Sequence, residues 1–219
     1  MKKLQEKSEI LSSSFPFQWV ETLPRTTSKS YILLLHGLNE RGLRIHRKLI
    51  EHLPDDAHIV APNAPFPLPR FKSEKIDYGY TWYFFNKFTQ TYDIDQSFAI
   101  SLIKELIEKT NTENLPITII GFSQGGYLAP VLAKEITNVE KVIGIGCEFR
   151  PIFFDYKMNY KLYALHGAED DIIPSNMAKR CLNELAKKNI QVTWRELPET
   201  KHEINKIVST AVREILDGK

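Results

Sequence analysis

Short apolar runs alternate with amphipathic stretches along most of this 219-residue chain. The runs are rich in β-branched side chains, which is typical of strands buried on both faces of a parallel sheet. The stretches between them repeat their apolar residues at intervals of three and four, which predicts helices that cover the sheet. The pattern predicts strands at 31–35, 57–61, 116–120, 141–146, 161–165 and 191–197, and helices at 43–52, 94–109, 127–136, 175–188 and 203–216.

Strands that alternate with helices predict an α/β protein with a doubly wound, mostly parallel sheet and helices on both faces. A further strand at 15–21 is expected at a sheet edge, because Pro16 cannot donate to a central ladder. The length fits a single domain over residues 1–219. Residues 1–13 are polar and are predicted to be a leader that is either a short helix or disordered.

The least regular stretch is 62–92, which combines a series of prolines with an aromatic cluster. A loop of this length inside a compact domain is usually functional, so we predict a lid or a wall of the substrate pocket. A poorly ordered insertion is the alternative. The helix that follows is expected to begin behind Asp93, with Gln96 completing a capping box.

The amino-acid composition indicates which binding partners and cellular location to expect, but not which reaction. A formal net charge of +2 is too small to indicate a nucleic acid or an anionic membrane as a partner. Two cysteines do not make a disulfide framework, and the charged N-terminal residues lead into no apolar stretch that would predict a signal peptide. No run reaches the ~18 apolar residues of a membrane span. We therefore expect a cytoplasmic protein without integral membrane association.

The stretch Gly121-Phe122-Ser123-Gln124-Gly125-Gly126 lies between a predicted buried strand and a predicted helix. This is the context in which G-x-S-x-G forms a nucleophile elbow, with small residues two positions to either side of the serine. The non-catalytic alternative is an ordinary strand–helix turn in which the serine caps the helix. The rest of the chain has to decide between the two.

A nucleophilic serine needs a general base and a carboxylate that orients it, in the chain order Ser, Asp or Glu, His. Only His166 and His202 follow Ser123, and His166 belongs to a strand end, so His202 is the candidate base. Without the elbow upstream, a surface histidine would be the better interpretation of His202. Three acids at the end of the 161–165 strand are candidates for the carboxylate: Glu169, Asp170 and Asp171.

An oxyanion hole in this arrangement uses the N–H of the residue after the nucleophile and one from a loop behind an earlier strand. The first donor is the backbone of Gln124. The second is assigned to Leu38, because His36-Gly37-Leu38 directly follows the 31–35 strand. No cluster with metal-ligand spacing and no glycine-rich phosphate loop is found, so we expect neither a metal nor another cofactor.

Several motifs occur together in a fixed order: Leu34-Leu35-His36-Gly37-Leu38, Ala61-Pro62, Gly121 to Gly126, His166-Gly167-x-x-Asp170-x-x-Ile173-Pro174, and His202 before the last helix. With these motifs the chain resembles the phospholipase/carboxylesterase family of α/β-hydrolases, which includes acyl-protein thioesterases and small bacterial carboxylesterases. The resemblance implies an α/β-hydrolase fold, and it selects Asp170 as the acid because the family's acid follows its His-Gly pair by three residues. Asp171 is the fallback. Asn39 stands where the family often has glycine. By analogy, a homodimer is an expectation.

These features predict a serine hydrolase that cleaves small-molecule carboxylic esters through an acyl-enzyme, in the manner of a carboxylesterase or lysophospholipase. One alternative keeps the machinery and acts on thioesters, including acylated proteins; another is a binding protein on a degenerate hydrolase fold. Cys147 as nucleophile is a weaker idea, because it lacks the elbow. Trp82 and Phe84, in the 62–92 aromatic cluster, are predicted to line the acyl pocket, although Trp82 also fits a core position.

Overall fold

The computed structural model describes residues 15–25, 27–71, 73–154 and 158–218, and the predicted leader at 1–13 lies outside them. Eleven strands and five α-helices are present in the described part of the chain. The strands are β1 Trp19–Thr22, β2 Ser30–Leu35, β3 Ala57–Pro62, β4 Phe66–Phe71, β5 Ile76–Thr81, β6 Phe84–Asn86, β7 Thr91–Ile94, β8 Ile117–Phe122, β9 Val139–Ile145, β10 Lys161–Gly167 and β11 Val192–Leu197. The helices are α1 Gly42–Leu49, α2 Ser97–Thr110, α3 Gln124–Glu135, α4 Ser175–Lys187 and α5 Lys206–Leu216.

Seven of the strands form one central sheet in the order β1-β3-β2-β8-β9-β10-β11. All neighbours in it are parallel except β1, which runs antiparallel to β3 at the sheet edge. The predictions of a mostly parallel sheet and of an N-terminal edge strand are therefore confirmed. β8 is the middle strand of the seven. The residue that follows it therefore lies midway along the carboxyl edge of the sheet.

Each face of the sheet is covered by its own hydrophobic layer. Along β2, Leu33 and Leu35 pack with α2, α3 and α4, whereas Ile32 and Leu34 pack with α1 and α5 on the opposite face. Alternate residues of a strand point to opposite faces, so a continuous apolar run is what a sheet covered on both sides requires. The runs of β2 and β3 are accordingly buried along nearly their whole length.

The 62–92 stretch differs from the predicted irregular loop. It contains two antiparallel hairpins, β4–β5 and β6–β7, in which the prolines of 66–71 alternate with other residues along a two-stranded ribbon. Proline is tolerated there because such a ribbon leaves one side of each strand unpaired. Its role as a lid or pocket wall stays a prediction.

The start of α2 also differs from the prediction. Residue 93 lies in β7, and the helix begins only at Ser97, whose backbone N–H donates to the Asp95 carboxylate at 2.9 Å. The capping acid was therefore placed two residues too early, since the pairing of β7 with β6 extends the hairpin into the predicted helix. Within the described residues, no helix combines the length and apolar character that crossing a membrane requires.

Candidate active site

The site lies where the order of strands in the sheet reverses. β2 leads through α1 to β3 on one side, whereas β8 leads through α3 to β9 on the other. Loops behind such neighbouring strands separate and leave a crevice at the carboxyl edge, which is where open α/β sheets bind ligands. Residues 36–41 behind β2 and Ser123 behind β8 border this crevice.

Ser123 occupies a strained turn between β8 and α3. Its φ of 50° and ψ of −117° lie outside the regions that L-residues normally adopt. Its N–H donates to Ile145 O at 2.8 Å, and its carbonyl accepts from the N–H groups of Gly126 and Tyr127. These backbone bonds hold the unfavourable conformation in place, which is the geometry expected of a nucleophile elbow.

The two glycines of the motif are required by close backbone approach. A Cβ on Gly121 would lie 2.3 Å from Gly125 O, and a Cβ on Gly125 would lie 2.2 Å from Leu35 O. Both distances are far below van der Waals contact. The atoms approached are backbone carbonyl oxygens, which cannot shift without moving the strand or helix they belong to. The elbow is thus packed directly against the end of β2, and only glycine allows this approach.

Ser123, His202 and Asp170 come together as a hydrogen-bonded chain. His202 Nδ1 lies 2.8 Å from Asp170 Oδ2, and His202 Nε2 lies 2.9 Å from Ser123 Oγ. The carboxylate can only accept, so Nδ1 carries the proton and Nε2 is left to accept from the serine hydroxyl. The His202 side chain is 14% exposed and that of Asp170 is fully buried, so the pair is largely shielded from water.

The Asp170 carboxylate is held from two sides. Oδ1 accepts from the N–H groups of Ile172 and Ile173 at 3.0 and 2.8 Å, which leaves Oδ2 for the imidazole of the base. The His166 ring lies 3.5 Å from Oδ2, but its Nε2–H donates to Ile173 O at 2.6 Å. Asp171 is exposed. Of the two candidate aspartates, Asp170 alone contacts the candidate base.

Two backbone donors are available for an oxyanion. Among the described residues, neither the Leu38 N–H nor the Gln124 N–H donates to another group. The loop that carries Leu38 is held by Glu40, whose Oε2 accepts from Gly37 N at 3.2 Å. Asn39 has a φ of 60°, a left-handed conformation that asparagine tolerates better than most residues. Asparagine can therefore stand where the resembled family often has glycine.

Residues 81–83 connect both donors, and sequence reasoning missed this connection. The Gln124 amide donates to Thr81 Oγ1 at 2.8 Å and to Tyr83 O at 3.0 Å, and it accepts from Trp82 N at 3.1 Å. Trp82 Nε1 donates to His36 O at 2.8 Å, at the start of the other loop. One segment therefore ties the loop behind β2 to the first residue of α3. No sequence pattern could have found it, since the bonds join distant segments.

A second group that was missed supports the imidazole of His202. The rings of Phe122 and His202 lie 5.0 Å apart, and Gly146 lies beneath the base. A Cβ on Gly146 would be 3.2 Å from His202 Nδ1 and 3.4 Å from Asp170 Oδ2, and its φ of 56° also favours glycine. The sequence predicted Gly146 to be the last residue of the 141–146 strand, whereas in the structure it directly follows β9.

Trp82 is not a surface residue of a pocket, which corrects one prediction. It is fully buried in the hydrophobic layer beside α2 and α3, where its ring lies 4.8 Å from that of His36. Trp82 directly follows β5, and its backbone N–H and indole N–H donate to the Gln124 side chain and to His36 O. Phe84 is half-buried in β6, and its ring lies 5.8 Å from that of Phe66. Whether Phe84 contacts an acyl chain stays a prediction.

Cys147 does not have the surroundings of a nucleophile. It is buried, and the loss of hydration raises the pKa of its thiol far above the usual range. A thiol that stays protonated at neutral pH is a poor nucleophile. These surroundings are those of a small core residue and not of a nucleophile.

His36 makes the stability of the site depend on pH. Its Nδ1–H donates to Gly37 O at 2.7 Å and its Nε2 accepts from Ala64 N at 2.9 Å, so the buried ring is neutral. Burial lowers the pKa of His36 from 6.5 to about 4. Below pH 6.5 the unfolded chain binds a proton that the folded chain does not, so folding weakens as the pH falls. Unfolding free energy should therefore drop by about 2 kcal/mol between about pH 7 and 5 from this residue alone.

Urea denaturation of the wild type and of His36→Gln at both pH values tests this expectation. The comparison is made within each protein, so a lower overall stability of the variant does not affect it. The drop should be about 2 kcal/mol smaller in His36→Gln. An equal drop in both proteins would assign the pH dependence to other groups.

A comparison with known proteins identifies the family. The sequence profile of the phospholipase/carboxylesterase family matches residues 20–217. The chain is 26% identical over 189 residues to acyl-protein thioesterase 1 of Emericella nidulans, covering 71% of this chain and 75% of that protein. It is 25% identical over 207 residues to lysophospholipase-like protein 1 of Mus musculus, covering 84% of each.

Solved structures agree on the fold. Acyl-protein thioesterase 2 of Zea mays superposes with a TM-score of 0.72 at 17% identity, over 92% of this chain and 98% of that one. Esterase PE8 superposes with a TM-score of 0.70 at 19% identity, also over 92% of this chain and 98% of that one. At such low identity the likeness shows only the α/β-hydrolase fold. Together with the profile match over nearly the whole chain, it leads to one conclusion: this protein belongs to the phospholipase/carboxylesterase family of α/β-hydrolases.

Proposed function

We propose that the protein is a serine hydrolase that cleaves carboxylic esters of small molecules without a cofactor. The observation that carries the proposal is the continuous hydrogen-bonded chain from Asp170 through His202 to Ser123. The serine is held at the carboxyl edge of the sheet, where a substrate can approach it. Membership of a family of esterases and thioesterases supports the same reaction class.

In the first half of the reaction, Ser123 Oγ attacks the acyl carbonyl carbon while His202 Nε2 takes the hydroxyl proton. The tetrahedral intermediate collapses to an acyl-enzyme, and His202 gives the proton to the departing alcohol. Asp170 keeps Nδ1 protonated and stabilises the imidazolium that forms. In the second half, His202 deprotonates a water that attacks the acyl-enzyme, and the carboxylic acid leaves as Ser123 regains its proton.

The N–H groups of Leu38 and Gln124 are assigned the role of donating hydrogen bonds to the carbonyl oxygen as it becomes negatively charged. Each such donor lowers the barrier by about 3 kcal/mol, because it is aimed at the oxygen before the reaction starts. The bonds of residues 81–83 to both segments support this role, since they limit the movement of the donors relative to each other. Thr81 is therefore a positioning residue.

A thioesterase activity is the second candidate, and the names of relatives favour it. Acyl-protein thioesterases occur among both the sequence relatives and the structural neighbours. The same acyl-enzyme chemistry serves esters and thioesters, because only the leaving group differs. The preference therefore depends on how the leaving group binds rather than on Ser123, His202 and Asp170.

Two measurements on purified protein test the proposal. A fluorophosphonate probe should label Ser123, which mass spectrometry of the tryptic peptide identifies, whereas a binding protein without catalytic power would remain unlabelled. Rates on an ester and a thioester with the same acyl chain then separate the two activities. Labelling without turnover of either substrate would contradict the proposal.

A further inference from the structure

The β4–β5 hairpin is attached through its strand β5 to the loop behind β2. Asn39 N donates to Tyr80 O at 2.9 Å, and Tyr80 N donates to Glu40 O at 3.0 Å. These two bonds make an antiparallel bridge between Glu40 and Tyr80. Leu38, whose N–H is one of the two proposed oxyanion donors, directly precedes Asn39 in the chain. The hairpin therefore pairs with the backbone immediately beside that donor.

The hairpin and the loop approach each other too closely for a side chain at residue 79. A Cβ on Gly79 would lie 2.0 Å from Asn39 Oδ1 and 2.4 Å from Asn39 O. The Asn39 backbone is itself in the left-handed region, with a φ of 60°, which few residues tolerate. Because segments packed this closely transmit strain, a displacement of the hairpin has to displace the loop as well.

Two arginines and one aspartate fasten the outer part of the hairpin to the same loop. Asp77 Oδ1 pairs with Arg41 at 2.7 Å, and Asp77 Oδ2 pairs with Arg70 at 2.9 Å. Arg41, the last residue of the loop, also donates through Nε to Tyr78 O at 2.6 Å. A carboxylate shared by two guanidinium groups forms a network of charge-assisted bonds, which holds its geometry better than an isolated surface pair.

The inner end of β5 reaches the second donor. Thr81 is the last residue of the strand, and its hydroxyl accepts from the Gln124 side-chain amide at 2.8 Å. One strand thus contacts the backbone beside Leu38 through residues 77–80 and the first residue of α3 through residue 81. The relative position of the two proposed donors therefore depends on how β5 is seated.

We propose that the β4–β5 hairpin sets the position of the Leu38 N–H in the candidate active site, with Asp77 as the positioning residue that locks it. Asp77 acts through Arg41 and is assigned no contact with the reacting atoms. Oxyanion donors lower the barrier because they are aimed before the reaction starts, and a misplacement of about 1 Å costs about a hundredfold in rate. The hairpin therefore determines kcat more than KM. This catalytic consequence rests on the proposed function, whereas the attachment of the loop does not.

Amide hydrogen exchange tests the attachment without any substrate, in Asp77→Asn, Asp77→Glu and the control Asp56→Asn. Asn removes the charge that both arginines bind, whereas Glu keeps it. Asp56 holds a single ion pair, with Lys29 at 3.0 Å, at the amino edge of the sheet. Exchange in the peptide covering residues 36–41 should be about tenfold faster in Asp77→Asn and within about twofold of the wild type in the other two. Equal exchange in the wild type and Asp77→Asn would overturn the proposal.

Kinetics on an aryl butyrate measure the catalytic consequence. Asp77→Asn should lower kcat about tenfold with KM within about twofold, and Asp77→Glu should restore most of kcat. Gly79→Ala, which pushes the loop away, should lower kcat about a hundredfold. A merely structural role would lower the thermal stability of Asp77→Asn but leave kcat of the folded protein unchanged, and that result would also overturn the proposal. If exchange over residues 36–41 depends on Asp77 but the wild type hydrolyses no ester, the proposed function fails and the attachment of the loop stands.

Discussion

Ser123→Ala should lower kcat/KM for a short-chain aryl ester by about four to six orders of magnitude. In the proposed mechanism Ser123 Oγ forms the covalent bond to the acyl carbon, so a side chain without a hydroxyl cannot start the reaction. The backbone of the elbow makes no use of Oγ, whose hydrogen bond runs to His202 Nε2. The variant should therefore fold. The initial rate of aryl butyrate hydrolysis measures the loss of kcat/KM.

Ser101→Ala is the matched control for this substitution. Ser101 lies on the exposed side of α2, and its hydroxyl donates only to Phe98 O within the helix. Its activity should stay within a factor of about two of the wild type. A Ser123→Ala protein that retains more than about a hundredth of wild-type activity, with unchanged thermal stability, would contradict a nucleophilic role for Ser123.

Asp170→Asn should lower kcat by about three to four orders of magnitude while the protein keeps its fold. The N–H groups of Ile172 and Ile173 need an acceptor at the Oδ1 position, so the new amide oxygen stays there. The amide NH₂ then faces His202 Nδ1, which must accept rather than donate. The imidazole proton moves to Nε2, and the ring can no longer take a proton from Ser123.

Asp171→Asn provides the comparison that decides between the two aspartates. Asp171 is exposed and is the neighbour of Asp170 in sequence, so its substitution changes charge equally near the site. We expect less than about a twofold change in kcat. A large loss in Asp171→Asn with little effect in Asp170→Asn would show that Asp171 orients the base during turnover.

The features that were predicted well are those whose cause is local. The buried run of β2 and the Gly-x-Ser-x-Gly turn behind β8 each depend on short-range patterns of side-chain size and polarity. The order of Ser123, Asp170 and His202 along the chain was also readable, because the parallel sheet brings strand ends to one edge. The structure brings these three side chains within hydrogen-bond distance, and their catalytic roles await the measurements above.

The features that were missed depend on pairing between segments. Prolines in 66–71 suggested an irregular loop, yet β4 pairs with β5, since an isolated ribbon tolerates residues that a central sheet does not. Trp82 was predicted to line a pocket because aromatic residues cluster near it, with a core position as the alternative. Its indole is instead used to bond His36 O and fill the layer above α3. Neither outcome can be derived from the neighbouring residues in the chain.

The sequence by itself determined the alternation of strands and helices, the family resemblance and the set of residues from which the candidate triad could be drawn. Only the tertiary structure decided which acid contacts His202, and that residues 81–83 connect the loop behind β2 to Gln124. Local patterns decide where elements form, because backbone conformation depends on nearby residues. Distances between side chains remote in sequence depend on how those elements pack, and chemistry depends on those distances.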